Sequence, residues 1–280
     1  MKVSLILATY EMPGHLELVL AALARSRFRE FEILLCDDGS GPETRAVVKA
    51  ALPSLGVPLT HLWQDNRGFR KCRLLNEAIR RAKGELLVFL DGDCVPHRDF
   101  VGDHWSTRER GTFGAGRRVE VSRRIAENLT VRDVRNGLFD RPSLRLLLDH
   151  VFGETENWNR TIRWGRRPWI RKLLKLDRVD DLKGCNFSVA REDLLAVNGF
   201  DETYEGYGRE DTDVELRLLH YGLRRRSLKG LALQFHVWHE RRGFTPANES
   251  LLEATRSTRR IRCARGVEGG DAAGITVRAD

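Results

Sequence analysis

Glu85-Leu86-Leu87-Val88-Phe89-Leu90-Asp91-Gly92-Asp93-Cys94 is an apolar run of strand length that stops at two carboxylates one glycine apart. Leu86 to Leu90 offers no polar position, so the run reads as a strand buried on both faces, as in a parallel sheet. Open α/β sheets bind ligands at the carboxyl ends of their strands, where Asp91 and Asp93 emerge. Alternate residues of an extended chain project to the same side, so both carboxylates are expected to face one site. Oxygen ligands of this type suit Mg2+ or Mn2+, cations that accompany phosphate substrates. Gly92 lets a ligand approach the backbone closely. Taken alone, the motif is equally a solvated Asp-Gly-Asp turn. The flanking chain decides between the two.

Upstream, strand and helix patterns alternate. Residues 2–8 read as a strand, followed by the turn Thr9-Tyr10-Glu11-Met12-Pro13-Gly14 and a helix with Leu16, Val19, Leu20 and Leu23 at helical spacing. Residues 32–36 form a second strand ending in Asp37-Asp38-Gly39-Ser40, and 42–52 a helix with Pro42 at its start. Residues 59–62 are a short strand, and 71–83 a helix that Gly84 is expected to cap. Such β-α alternation with short connections predicts a mainly parallel sheet with right-handed crossovers. Tyr10, Asp38 and Asp91 then all lie just past strand ends, along one crevice. Neither a G-x-G-x-x-G turn nor a Walker A loop occurs, so a single nucleotide bridged by a metal fits better than a dinucleotide.

Downstream the regularity fades and returns. Residues 114–121 read as a strand. The stretch 123–178 is rich in arginine and holds Trp158, Trp164 and Trp169; its portion WGRRPWIRKLLKL (164–176) is basic and partly amphipathic. That portion suits an acceptor or an anionic membrane surface, but a cationic helix laid over the sheet is the plainer reading, since Trp more often packs than recognises. Residues 182–190 return to strand character and 191–197 form a short helix. A glycine-rich turn, Glu205-Gly206-Tyr207-Gly208, leads into Arg209-Glu210-Asp211-Thr212-Asp213 at the start of another helix. Acids in a first helical turn need no function, because the helix dipole favours them. Glycines that hold the turn against a neighbour favour a site instead, one carboxylate taking a proton from an attacking hydroxyl. Residues 231–237 read as a strand carrying His236, with His239 after it. An odd spacing along a strand predicts opposite faces, one histidine toward a metal and the other packed. Residues 248–262 read as a closing helix and 264–280 as a flexible tail.

Composition bounds the class. The chain has 280 residues, 41% hydrophobic and 31% charged, which suits a soluble globular protein. No apolar run approaches a membrane span, and the amino terminus reads as a strand, not a signal peptide. Five dispersed cysteines without metal-ligand spacing read as reduced thiols in a cytoplasmic protein. The formal charge of +8 favours an anionic partner. Spread along helices without a recognisable module, it does not point to nucleic acid.

In combination these segments resemble the family-2 glycosyltransferases of the GT-A fold. LILATYEMP (5–13) is similar to the family's strand and Thr-Tyr-Asn turn, with Glu11 in the Asn place, and LLCDDGS (34–40) to its Val-Asp-Asp-Gly-Ser. GFRKCRLLNEAIRRAKGELLVFLDGDCVP (68–96) resembles the donor block ending in D-x-D. KGCNFSVAREDLLAVNGFDETYEGYGREDTD (183–213) looks like the acceptor block of bacterial polysaccharide enzymes and β-1,4-galactosyltransferases, and FHVWHE (235–240) like the late His-x-Trp-His element. The resemblance implies a mixed, mainly parallel α/β sheet flanked by helices, a single compact domain with a helical insertion. Residues 1–121 would be the donor half, 122–180 the insertion, 181–263 the acceptor and catalytic half, and 264–280 the tail. It implies a metal-dependent, inverting transfer from a nucleotide-sugar, UDP-linked, to a glycan, glycolipid or small-molecule hydroxyl. Thr9, Tyr10, Glu11, Asp38, Arg70, Asp91, Gly92, Asp93 and Gly184 would hold the donor, Tyr10 stacking on the base and Asp38 accepting its hydrogen bond. Asp91 and Asp93, with His236 or His239, would hold Mn2+ or Mg2+. Asp211 would be the catalytic base and Glu210 would orient acceptor hydroxyls. Location is expected to be cytoplasmic, with peripheral contact to the inner membrane face as a hypothesis. The alternative is a haloacid-dehalogenase-type phosphatase with Asp91 as nucleophile.

Overall fold

The structure, a computed structural model, describes residues 1–152, 155–178, 181–240 and 243–278. Four strands, β1 (Val3–Thr9), β2 (Phe31–Asp37), β3 (Leu59–Trp63) and β4 (Leu86–Asp91), lie parallel in the order β3-β2-β1-β4. Helices α1 (Pro13–Leu23), α2 (Pro42–Leu55) and α3 (Lys71–Arg81) make the crossovers, and Pro13 and Pro42 sit where a missing N–H is tolerated. The strands need apolar residues on both faces because each face has its own core. Leu5, Leu7, Ile33, Leu35 and Val88 pack toward α1 and α2, whereas Ile6, Leu34, Leu87 and Phe89 pack toward α3. Register levels the strand ends: Ala8 lies beside both Cys36 and Asp91.

Gly84 does not cap α3. The helix ends at Arg81 with Ala82 as its cap, and Gly84 lies flat against β1, where a Cβ would stand 2.3 Å from the Ser4 nitrogen. Close backbone approach explains this glycine.

After β4 the chain forms β5 (Cys94–Pro96), α4 (Phe100–Thr107), β6 (Thr112–Ala115) and β7 (Val119–Glu120). The single strand expected over 114–121 is thus two, in different sheets. At the break Gly116 faces Asn186, so closely that a Cβ would fall 2.0 Å from its side-chain oxygen. The insertion carries α5 (Arg123–Glu127), α6 (Val131–Arg135), α7 (Leu144–Phe152), a 3-10 turn (Trp158–Thr161) and α8 (Pro168–Leu173). Then follow β8 (Phe187–Ala190), α9 (Arg191–Ala196), α10 (Glu210–His220), β9 (Arg224–Ser227), β10 (Gln234–His236), α11 (Ala247–Thr258) and β11 (Thr276–Arg278). The large sheet has eight strands in the order β11-β3-β2-β1-β4-β8-β6-β9, with β8 antiparallel to β4 and β6. A three-stranded sheet, β5-β10-β7, sits beside it.

The segment expected to be a flexible tail instead supplies β11, which pairs antiparallel with β3. Arg73 donates to the carbonyls of Asp271 and Ala273 on the way. Residues 279–280 lie outside the described residues. All five thiols are free and buried. Among the described residues no helix is long and apolar enough to cross a membrane.

Candidate active site

A cleft of about 690 Å³ opens at the carboxyl ends of β1, β2 and β4 and is walled opposite by residues 181–185 and the first turn of α10. Thr9, Tyr10, Asp38, Asp91, Gly92, Asp93, Gly184, Glu210, Asp211, His236 and His239 all line it. The level strand ends bring Thr9, Tyr10, Asp38 and Asp91 together; the approach to β8 brings Gly184, the start of α10 Glu210 and Asp211, and the end of β10 the two histidines.

On the β1–β2 wall, the Tyr10 hydroxyl accepts from Asn66 Nδ2 at 2.9 Å. Asp38 Oδ1 accepts from Gln64 Nε2 at 2.5 Å and Oδ2 from the Arg70 backbone N–H at 2.8 Å. Burial pushes the Asp38 carboxyl above its ordinary range, against both hydrogen bonds. Thr9 Oγ1 is buried without a hydrogen-bond partner among the described residues. Gly92 packs under it, where a Cβ would come 2.9 Å from that oxygen. Two expected donor residues do not reach the cleft. Glu11 is turned by its φ of 48° so that Oε1 accepts from Gly41 N–H at 2.9 Å. The Arg70 guanidinium donates to the Asp65 carbonyl and lines a separate small cavity with Glu202 and Asp271. Arg70 serves the site through its backbone N–H on Asp38, its charge acting on that carboxyl without a direct contact.

The two carboxylates after β4 both line the cleft but meet different partners; the strand ends at Asp91 and a turn intervenes before β5. Asp91 Oδ1 pairs with Lys71 Nζ at 2.8 Å. Asp93 Oδ2 instead faces His239 Nε2 at 3.1 Å and His236 Nε2 at 3.7 Å. Antiparallel pairing of β5 and β10 sets His236 opposite Cys94 and so beside Asp93. The expectation of opposite faces for the histidines fails because β10 stops at His236, so strand alternation does not extend to His239. One ligand atom from each of Asp93, His236 and His239 lies within 4.8 Å of the others. Both rings have Nδ1 engaged, His236 with Glu120 Oε2 at 2.8 Å and His239 with the Glu240 carbonyl at 2.8 Å. Each therefore presents Nε2 to Asp93. Burial alone would raise Asp93, but the His239 hydrogen bond and the His236 charge outweigh it and hold the carboxyl well below its usual range.

The acidic wall depends on an unusual turn. Gly206, Gly208 and Arg209 all take positive φ, and a Cβ on Gly208 would strike the Phe244 ring at 2.7 Å. Phe244 and Thr245 are thus what the glycines hold the turn against. α10 starts at Glu210. Asp211 Oδ2 accepts from Gly184 N–H at 3.0 Å and Oδ1 from Thr212 N–H at 2.7 Å. Glu210 is only 9% exposed, and its Oε2 has no hydrogen-bond partner among the described residues. Burial pushes its carboxyl up to about 7; Lys71 opposes this and Asp211 adds to it.

Sequence reading missed Lys71, Gln64 and Glu120. Lys71 opens α3 directly above Asp91, and only the sheet order shows that its ammonium is enclosed by Asp91, Glu210 and Asp211. Glu120 sat inside an expected strand with no partner in view.

Residues 4–128 match the family model described as glycosyl transferase family 2, and residues 173–240 that described as the N-terminal domain of galactosyltransferase. The chain is 27% identical over 235 residues to validoxylamine A glucosyltransferase of Streptomyces hygroscopicus subsp. jinggangensis, covering 79% of this chain and 52% of that protein. To chondroitin synthase of Escherichia coli it is 22% identical, covering 83% of this chain and 34% of the relative. The chain therefore spans about half or less of the length of these relatives. Among solved structures, S. aureus TarS 1-349 in complex with UDP-GlcNAc superposes with a TM-score of 0.60 at 18% identity, covering 91% of this chain and 66% of that one. The mannosyltransferase PcManGT from Pyrobaculum calidifontis, in complex with GDP-Man and Mn2+, gives 0.56 at 18% identity, covering 90% and 68%. The dehalogenase-type alternative finds no support. The models matched over 4–128 and 173–240 are those of glycosyltransferases.

Proposed function

We propose the following reaction for this chain, which carries a glycosyltransferase family 2 domain over residues 4–128: a sugar moves from a nucleoside-diphosphate donor, UDP-linked, to a hydroxyl of a glycan, glycolipid or small molecule, with inversion. The convergence of a nucleotide wall, an Asp-His-His cluster and a helix-start carboxylate pair in one cleft carries this reading. Tyr10 offers a ring for the base and Asp38 an acceptor for it, held by Gln64 and the Arg70 backbone.

Asp93, His236 and His239 fit a divalent cation: three donor atoms are mutually close, and Glu120 and the Glu240 carbonyl fix both imidazoles with Nε2 inward. Two nitrogen ligands in three favour Mn2+ over Mg2+. When bound, the cation would offset charge on the departing diphosphate. Asp91 supports the site differently, by anchoring Lys71 beneath the acids.

Asp211 is the base in this scheme. It takes the proton of the acceptor hydroxyl as that oxygen bonds the anomeric carbon and the bond to the diphosphate breaks on the opposite face. Gly184 and Thr212 N–H groups orient its carboxylate at the start of α10. Glu210 binds an acceptor hydroxyl. Tyr207 and Phe244, both about half exposed on the cleft rim, offer apolar faces to an acceptor. One observation favours exchanging the two acids: the unmatched Glu210 oxygen belongs to a carboxyl whose value near 7 suits a base.

Nucleotide release from a panel of nucleotide-sugars and acceptors tests the scheme. Asp211→Asn is expected to lower kcat by roughly 10³-fold with donor KM little changed, the usual scale for losing a general base. Loss confined to Glu210→Gln, with Asp211→Asn active, would transfer the role to Glu210. Full activity in both variants would overturn the acidic wall as the reacting site.

A further inference from the structure

Helix α8 is built inside out. A short surface helix ordinarily turns its apolar residues inward and its charges to water. Here the residue that fixes α8 to the body is Arg171, only 8% exposed: Nε pairs with Asp177 at 2.7 Å, and Nη1 and Nη2 donate to the carbonyls of Lys229 at 3.0 Å and Ser227 at 2.8 Å. Trp169 and Leu173, one helical turn apart, are 64% and 72% exposed, with Leu174 beside them. Trp164 is different, since its ring packs against Gly230 and its backbone N–H donates to the Gly230 carbonyl. Around the exposed apolar group stand Arg166, Arg167, Lys172 and Lys175, all exposed, while the nearby acid Asp177 is taken up by Arg171. The same insertion repeats the pattern on α7, where Leu144, Leu148 and Val151, spaced to share a helix face, point to water with Phe152.

We propose that α8 is a docking face for an anionic lipid bilayer, Trp169, Leu173 and Leu174 entering the headgroup boundary while the surrounding cations meet lipid phosphates. An apolar tip ringed by Arg and Lys is the composition that binds such an interface. The long basic side chains can keep their charges at the phosphates while their stems lie along the apolar tip. A second copy of the chain is the poorer occupant, because a two-fold contact through this face would set cation against cation. The exposed apolar group therefore has an occupant that its charge complements. The inference is independent of which sugar is transferred.

Co-sedimentation of the purified full chain with phosphatidylcholine vesicles, with and without phosphatidylglycerol, tests it. Binding is expected only with phosphatidylglycerol and to weaken as salt rises. Replacing Arg166, Arg167, Lys172 and Lys175 by Gln is expected to weaken partitioning by roughly fivefold per cation. Trp169→Ser with Leu173→Ser should also release the protein, with melting temperature and circular dichroism unchanged because neither side chain is buried. No binding to anionic vesicles at low salt overturns the proposal. So does binding that both variants retain. A dimer in light scattering that the Trp169→Ser, Leu173→Ser variant dissociates would assign the face to a second copy instead.

Discussion

A carboxylate buried with one oxygen unmatched destabilises a fold unless it stays protonated. Glu210 is in that position, and its consequence is measurable. Its value in the folded protein, about 7, lies above the ordinary 4.5, so between those values the folded chain binds its proton more tightly than the unfolded chain. Stability from this group is therefore lost as pH rises from about 4.5 to about 7. Glu210→Gln is expected to remove that loss. Its thermal unfolding should gain on the wild type by an amount on the order of 2 kcal/mol between pH 5 and pH 8. An unchanged difference would mean that Glu210 is ionised throughout. Lys71 acts on the same cluster from the other side. Lys71→Met leaves Asp91, Glu210 and Asp211 without the cation they share, and turnover is expected to fall by roughly 10²-fold or more, a loss of stabilised charge in a partly dry site. Asp38, Asp93 and Asp211 were legible in sequence because each follows a strand end or opens a helix. The fates of Glu11, Arg70 and Asp91 were not, since a positive φ, a neighbouring carbonyl and a lysine from another element decide where those side chains go.

At the scale of elements, the cleft depends on how β8 is seated between β4 and β6. His104 of α4 is buried between Asn186 Oδ1 at 3.2 Å and Ser188 Oγ at 2.9 Å. The amide oxygen can only accept, so Nε2 carries the proton and Nδ1 accepts from the serine hydroxyl. Burial pushes the ring down to about 3, which keeps it neutral and the network intact at working pH. Asn186 then donates to the carbonyls of Arg117 and Ala232, tying the β6–β7 break and the approach to β10 onto β8. Gly116 is the tight point of this joint. Gly116→Ala is expected to destabilise by about 1–3 kcal/mol, the scale of overpacking, measured by chemical denaturation. A neutral result would mean that the joint has room to shift. The parallel half was readable because its strands are apolar on both faces and its crossovers are short. The other half was not. A strand split between two sheets and a two-residue strand such as β7 leave no periodic signal, and register between β5 and β10 is a tertiary fact.

For the whole molecule, the sheet runs from an antiparallel edge, β11, to β9, and β11 closes the parallel half at β3. Few apolar residues mark that segment, so its composition resembled a loose tail. Its anchoring comes from backbone partners that composition does not reveal: Val267 N–H to the Asn198 carbonyl, Asp271 N–H to Glu202, and Arg73 to two carbonyls. A chain ended after Arg265 is expected to melt several degrees lower and to aggregate faster, because β3 becomes an open edge. An unchanged melting temperature would contradict a structural role for β11. The fold class and the place of the cleft followed from strand periodicity and from acids at strand ends, while the closing strands needed the assembled sheet to be seen.

The Asp93, His236 and His239 cluster is the centre of the account, and calorimetric titration tests it most directly. UDP and the other nucleoside diphosphates would be titrated, with and without Mn2+, into the wild type, Asp93→Ala and His239→Ala. One nucleotide is expected to bind the wild type at least about tenfold more tightly with Mn2+, the effect of a shared cation on two ligands, and to lose that gain in both variants. Binding that ignores Mn2+, or a Mn2+ gain that survives in both variants, would contradict the assignment of this cluster to the donor's metal.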